Sequence, residues 1–367
     1  MKKKYLILLT LIPMLANAQI LKSTFFRQPE VNTGFSIQTW STDQDRVTEF
    51  VVPLSFVIPI NRSLTINAVT SSAFAQMNSA SQHLFGMTDT RILGSFVTAD
   101  NHLLITGGVT VPTGNTRLEG DQSSITSALA EYSLNFRVPS FGQGFSANIA
   151  GLYAFQAGDF ILGGGAGFVY KNGFKPYKSI DAKYKPGTEI SVNIGGETNV
   201  GNRRGMKLTL DITYTLYGAD EFDETEVFKS GAKLIADLRS LFKITKTDVM
   251  LYLRERTKGK NERGFGSLAE EENNSNGNQL EIGGMSYTPL NKSFGFRGAL
   301  EMKYYSKNEY ESNGALILGV GAGFNYKFSN NFSLDMLFKF LTGSLKNKNA
   351  GNNITGLELS GGIKYRL

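Results

Sequence analysis

Lys207-Leu208-Thr209-Leu210-Asp211-Ile212-Thr213-Tyr214-Thr215-Leu216 alternates polar and apolar side chains without a break. Successive side chains of an extended chain point to opposite faces, so this segment predicts a strand with one apolar and one polar face. The same period runs through Phe50, Val52, Leu54, Phe56, Ile58 and Ile60, with Glu49, Pro53, Ser55 and Pro59 on the other face. It returns in Phe332, Leu334, Met336, Phe338 and Phe340. Phe228, Ala232, Leu234, Ala236 and Leu238 alternate with Lys229, Lys233, Asp237 and Arg239 and read as one further strand. Strands of soluble sandwiches average about 5 to 6 residues. These run to about ten, the length a tilted strand needs to cross a bilayer.

Along the rest of the chain, short turns alternate with longer polar connections. The short set is Asn61-Arg62-Ser63, Asp100-Asn101, Gln156 to Asp159, Gly201 to Gly205, Lys243 to Lys246, Asn291-Lys292-Ser293 and Ser329-Asn330-Asn331. Between them lie Thr42 to Asp45, Ala73 to Phe85, Pro112 to Gln143, Lys171 to Gly187, Gly218 to Glu226, Thr257 to Asn278, Ser306 to Asn313 and Ser344 to Asn353. Turns on one side and loops on the other mark an outer-membrane barrel, with the turns toward the periplasm. The expectation is all-β: a transmembrane antiparallel up-and-down barrel of about sixteen strands over residues 34–367. Fourteen strands result if Gly34 to Ser41 is not a full strand.

Ala128, Ala130, Tyr132, Leu134, Phe136 and Val138 also alternate, but a strand there would swap the sides of every later connection. Ile125, Leu129, Tyr132 and Phe136 fit one face of a helix that Ser123 or Ser124 would cap. Pro112 to Gln143 therefore reads as one long extracellular loop containing a short helix, either folded inward to narrow the lumen or lying on the rim.

The N-terminus reads as a secretory signal peptide over residues 1–18, with Lys2, Lys3 and Lys4 before an apolar run and Ala16-Asn17-Ala18 at the cleavage site. Its removal halves the formal net charge of +6, which weakens any case for a nucleic-acid partner. The chain has no Cys and two His, which excludes disulfides and thiolate chemistry and leaves metal sites poorly supplied. Gly163-x-Gly165 lacks the βαβ frame of a dinucleotide site, and no cofactor is expected. His83, near Ser79, Ser81 and Asp89, and His102, beside a turn, offer no ordered nucleophile and base, so the protein reads as no enzyme. The acidic run Asp220, Glu221, Asp223, Glu224 and Glu226 reads as a solvated loop with Ca²⁺ as the alternative, and Glu270-Glu271-Glu272 as a mobile loop tip.

Gly86-Met87-Thr88-Asp89-Thr90-Arg91 and Pro112-Thr113-Gly114 resemble the paired "G-x-x-D-T-R" and "P-T-G" signatures of the phenol-degradation meta-pathway outer-membrane transporters, a family similar to the long-chain fatty-acid transporter barrels. Lys185-Pro186-Gly187-Thr188-Glu189 resembles another loop of that family. The resemblance implies uptake of small hydrophobic or aromatic compounds across the outer membrane of a Gram-negative bacterium, and with no sign of a periplasmic energy-coupling box or a large globular plug the movement is expected to be passive. Ser360, Gly362, Tyr365 and Leu367 resemble the terminal signal read by the barrel-assembly machinery, with Leu where Phe or Trp is usual.

An apolar solute needs a landing surface outside and a constriction within. Tyr132, Phe136, Phe141, Phe174 and Tyr177 are the loop aromatics expected to receive it, and Leu21, Phe25 and Phe26 in residues 19–33 are expected to form an N-terminal plug, with Arg27 and Glu30 pairing lumen charges. Lumen charges of both signs are expected at Lys229, Lys233, Asp237, Arg239, Asp248, Arg254, Arg256, Arg297 and Glu301. A mixed set fits paired ladders in a narrow lumen and equally a general diffusion porin. A structural or adhesive barrel contacting lipid and lipopolysaccharide is the third reading.

Overall fold

The computed structural model describes residues 28–43, 45–98, 100–200, 205–347 and 350–367. Its strands are β1 (Glu30–Thr42), β2 (Arg46–Pro59), β3 (Leu64–Met77), β4 in two pieces (His83–Met87 and Thr90–Val97) and β5 (Leu103–Val111). One helix, α1 (Gln122–Ala130), follows. Then come β6 (Ser146–Ala157), β7 (Phe160–Lys171), β8 (Glu189–Val200), β9 (Met206–Tyr217), β10 (Lys233–Ile244) and β11 (Thr247–Lys258). The last five are β12 (Gln279–Pro289), β13 (Phe294–Tyr305), β14 (Gly314–Lys327), β15 (Phe332–Asn347) and β16 (Ala350–Arg366). Each pairs antiparallel with the next, and both pieces of β4 pair with β3. β1 closes on β16 from Glu30↔Arg366 to Thr42↔Ile354, giving a closed barrel of 16 strands.

Closure leaves no edge strand, so every ladder N–H and C=O is satisfied within the wall. The alternation then sorts the faces. Ile149, Ile194, Leu300, Val320 and Phe340 stand more than 40% exposed on the outside, a continuous apolar belt that water would not tolerate on a soluble protein. At the short-turn rim Phe294 stacks on Phe324 with ring centroids 5.7 Å apart, and Tyr326 meets Phe328 edge-on at 4.7 Å. Tyr304 and Tyr170 stand out near the opposite rim, so aromatics girdle both ends. A closed sheet with an apolar exterior and aromatic girdles at both ends is the construction of a membrane-spanning barrel of the outer-membrane type.

The short turns close as the sequence implies, by a repeated device. The Oδ1 of Asn61 accepts from the N–H groups of Ser63 and Leu64, and that of Asn291 from Ser293 and Phe294. Glycines inside strands make room for large inward side chains of the neighbouring strand. A Cβ on Gly356 would meet the Trp40 ring at 2.7 Å, and one on Gly283 would strike the Tyr252 ring.

Four sequence expectations need correction. β1 begins at Glu30, so Glu30 to Thr33 belong to the wall, where Glu30 pairs with Lys364 at 2.7 Å, and the fourteen-strand alternative falls. Phe228 and Lys229 do not open β10. They lie in a rim hairpin, Ala219–Phe222 with Thr225–Lys229, and Lys229 pairs with Glu262 there rather than in the lumen. The chain bends at Gly231, whose backbone packs directly on Gly259. The connections at Ala73 to Phe85 and Ser344 to Asn353 are shorter than the sequence suggests, because β3, β15 and β16 continue into them. Finally α1 starts after Asp121 without a side-chain cap, and it ends at Ala130, short of Tyr132 and Phe136.

Because Leu300 faces outward in mid-strand with 64% exposure, Leu300→Arg should destabilise the barrel in lipid vesicles by about 2–4 kcal/mol. Denaturant unfolding in vesicles measures it; a change within about 0.5 kcal/mol, as on a watery surface, would contradict a lipid-facing position.

Candidate functional site

The loop between β5 and β6, residues 112–145, folds into the barrel. Ile125 and Leu129 of α1 and Leu134, Phe136, Val138 and Phe141 beyond it are all buried. They share one core with Trp40 of β1, Val47 and Val51 of β2, Ala73 and Ala75 of β3, Leu84 of β4, Ile317 of β14, Leu341 of β15 and Ile354 of β16. Each wall residue points inward, where a water-filled lumen would carry a polar side chain. Burying such side chains is worth about 1.5–3 kcal/mol each, so the loop is bound along its length.

Polar groups fix its register. Glu49 of β2 is 1% exposed, and its carboxylate accepts from the backbone N–H groups of Arg137 at 2.9 Å and Val138 at 3.0 Å. A buried carboxylate without such donors would be strongly unfavourable, so the contact specifies where the loop sits. Gln38 of β1 donates from Nε2 to the Leu134 carbonyl at 2.9 Å. The root is clasped by Asp89, between the two pieces of β4. Its Oδ1 accepts from Gly114 N at 2.9 Å and its Oδ2 from Gln143 N at 2.7 Å, tying both ends of the loop to one side chain. A Cβ on Gly114 would collide with the Phe141 carbonyl, which explains why glycine stands there. The two quoted motifs are thus the halves of one clasp.

The inward surface outside the loop core is charged. Asp237 holds Arg239 at 2.6 Å and Arg254 at 2.6 Å, and Arg254 reaches Glu281 at 3.9 Å. Glu301 bridges Lys303 at 3.6 Å and Lys339 at 3.5 Å, and Lys339 continues to Glu358 at 3.4 Å. Arg297 pairs with Asp335, and Asp248 with Lys243 at 3.6 Å near the short-turn rim. Between this surface and the loop a cavity of about 250 Å³ remains, bordered by Glu131, Tyr132, Arg256, Lys258, Gln279 and Tyr305.

The aromatics expected to form one landing surface are divided by the structure. Phe136 and Phe141 are 4% exposed and serve the loop core, so they present nothing to a solute from outside. Tyr132 borders the cavity, with the Arg256 guanidinium 3.8 Å from its ring centroid and Tyr305 edge-on at 6.3 Å. Phe174 packs against Tyr184 at 6.0 Å, and Tyr177 lies beside Leu118 in a parallel bridge that braces the start of the inward loop. Leu21, Phe25, Phe26 and Arg27, together with the signal segment, lie outside the described residues. Ser360 and Gly362 sit within β16 at the closing seam, with Tyr365 and Leu367 exposed at its end.

Three of the five acids in the run make internal contacts, while Glu224 and Glu226 are exposed. Asp220 accepts from Gly187 N at 2.6 Å and from the Tyr184 hydroxyl, Asp223 accepts from Lys183 N at 2.7 Å, and Glu221 pairs with Lys185 at 2.9 Å. Glu271 accepts from the N–H groups of Asn261 at 2.9 Å and Ser275 at 3.0 Å, which hold its carboxyl below the usual range. Among the described residues no three His, Cys, Asp or Glu side chains gather as a metal site. The His102 ring bonds to the Ala154 carbonyl at 2.7 Å, and the His83 ring packs on Phe74.

The chain has no native Cys, which permits a direct check of the clasp. A Cβ on Gly86 would lie 3.7 Å from the Asn115 Cβ, the separation of a relaxed disulfide. Gly86→Cys with Asn115→Cys should therefore cross-link on mild oxidation, as mass spectrometry would show, whereas a loop lying on the rim would leave both thiols free.

No family model and no curated protein matches the chain, so the likeness to the phenol-degradation transporters rests on the motifs quoted above. Among solved structures it is similar to a loop-deletion mutant of OmpT, an outer membrane protein of Vibrio cholerae, at 11% identity and TM-score 0.42, covering 92% of this chain and 99% of that one. It is also similar to OpdK, an outer membrane protein of Pseudomonas aeruginosa, at 9% identity and TM-score 0.44, covering 92% and 99%. A bacterial polysaccharide outer membrane secretin matches at 8% identity and TM-score 0.49, covering 93% and 98%.

Proposed function

We propose that the chain is a passive outer-membrane channel for small solutes, narrowed by its own inward loop. The observation that carries this reading is the division of the lumen: one half is filled by the loop packed on an apolar wall, and the other keeps a polar cavity beside paired charges. A barrel needed only as a wall has no use for such a passage. In this reading the start of β1, the end of β16 and the short turns face the periplasm, and the inward loop lies at the outer mouth.

The polar lining favours water-soluble solutes and thus the diffusion-porin reading. Uptake of hydrophobic or aromatic compounds is the second reading, supported by the motif resemblance and by Tyr132 and Tyr305 at the cavity. The outer belt would meet lipid and lipopolysaccharide, and the seam strand ending in Tyr365 and Leu367 would be what the assembly machinery reads. Planar-bilayer recording of protein refolded from Gln19 onward tests the channel: discrete ohmic steps, smaller than those of an unobstructed barrel of this size, are expected. Persistent silence would refute it and favour the structural or adhesive barrel.

A further inference from the structure

Most inward cations of the barrel have a carboxylate partner, including Lys171 with Glu189, Lys207 with Glu197, Arg254 with Asp237 and Lys339 with Glu301. Lys233, Arg256 and Lys258 depart from that rule together. Lys233 and Lys258 stand directly opposite one another in the β10–β11 ladder, and Arg256 follows Lys258 on the same inward face. Like charges directly opposite across a sheet are destabilising. Among the described residues none of the three has a carboxylate within ion-pair distance. Lys233 lies 5.5 Å from the centroid of the Tyr217 ring, and Arg256 covers Tyr132 and reaches Gln279 at 3.4 Å.

The acids whose fields reach Lys233 and Lys258 are engaged elsewhere. Glu189 is held by Lys171 at 2.5 Å, Glu271 by the amides of Asn261 and Ser275, and Asp220 by Gly187 and Tyr184. Glu131 shares the cavity but already accepts from the Ser133 hydroxyl at 3.0 Å. The chain therefore keeps a repulsive trio at the long-loop ends of β10 and β11, with Arg256 and Lys258 lining the open cavity beside the inward loop. Repulsion retained among cations that line an open cavity is relieved when an anion arrives.

We infer that Lys233, Arg256 and Lys258 form the selectivity site of the passage and favour small organic anions, carboxylates in particular. The carboxylate meets the cations, and an attached apolar body lies against the Tyr132 and Tyr305 rings. This rests on the channel reading above and names its solute class.

Reversal potentials in a KCl gradient across a planar bilayer test it. The wild type should pass chloride in preference to potassium. Lys233→Gln with Lys258→Gln should lower the chloride-to-potassium permeability ratio on the order of five-fold, more at low salt than at high. Lys258→Arg should retain the ratio. Benzoate should reduce the chloride current while benzamide at equal concentration does not. Potassium preference in the wild type, an unchanged ratio in the double variant, or equal block by benzoate and benzamide would overturn the inference and leave the channel standing. Silence in all variants would instead defeat the channel reading itself.

Discussion

A carboxylate buried against two backbone N–H groups decides what this barrel encloses. Glu49 sits on an inward position of β2 where solvent does not reach, and the two donors come from a segment 88 and 89 residues further along the chain. Neither the acid nor the loop amides could be buried there alone. Asp89 repeats the arrangement at the root of the loop, and the apolar core between the two sites supplies the bulk of the binding. The loop thus behaves as a second layer of wall over β1 to β4 and β14 to β16.

From that placement the rest of the lumen follows. Where the loop packs, the strands carry inward apolar residues such as Val47, Val51, Ile317 and Leu341, whereas inward charges concentrate on β8 to β13 and continue along β15 and β16 beyond the loop core. Those charges are mutually neutralised along most of their extent, in keeping with the low dielectric of a narrow interior. The departure from neutrality at Lys233, Arg256 and Lys258 falls beside the cavity that the loop leaves open. Architecture and electrostatics therefore mark the same place.

The barrel was legible in the sequence because its two signals are local. Alternation of the kind seen at Lys207 to Leu216 reports a strand's faces, and devices such as Asn61 and Asn291 report tight turns. The inward loop was legible as a loop with a helix, since Ile125 and Leu129 sit one turn apart. Its anchor was not, because Glu49 on a polar face looks like any lumen charge until its distant partners are known. A usable signal was present in Phe50-Val51-Val52, apolar on both faces, which a strand between lipid and open water would not be. Lys229 and the aromatics Phe136 and Phe141 were misplaced for the same reason: local pattern gives the face of a residue but not what packs against it.

Single-channel recording of Glu49→Ala beside the wild type tests most directly whether the latched loop sets the passage. Removing the acceptor leaves the Arg137 and Val138 amides buried without a partner, so the loop should loosen and the variant should show larger, noisier steps, with Glu49→Gln intermediate. Steps of unchanged size and stability, in a variant whose sheet content by circular dichroism matches the wild type, would contradict it.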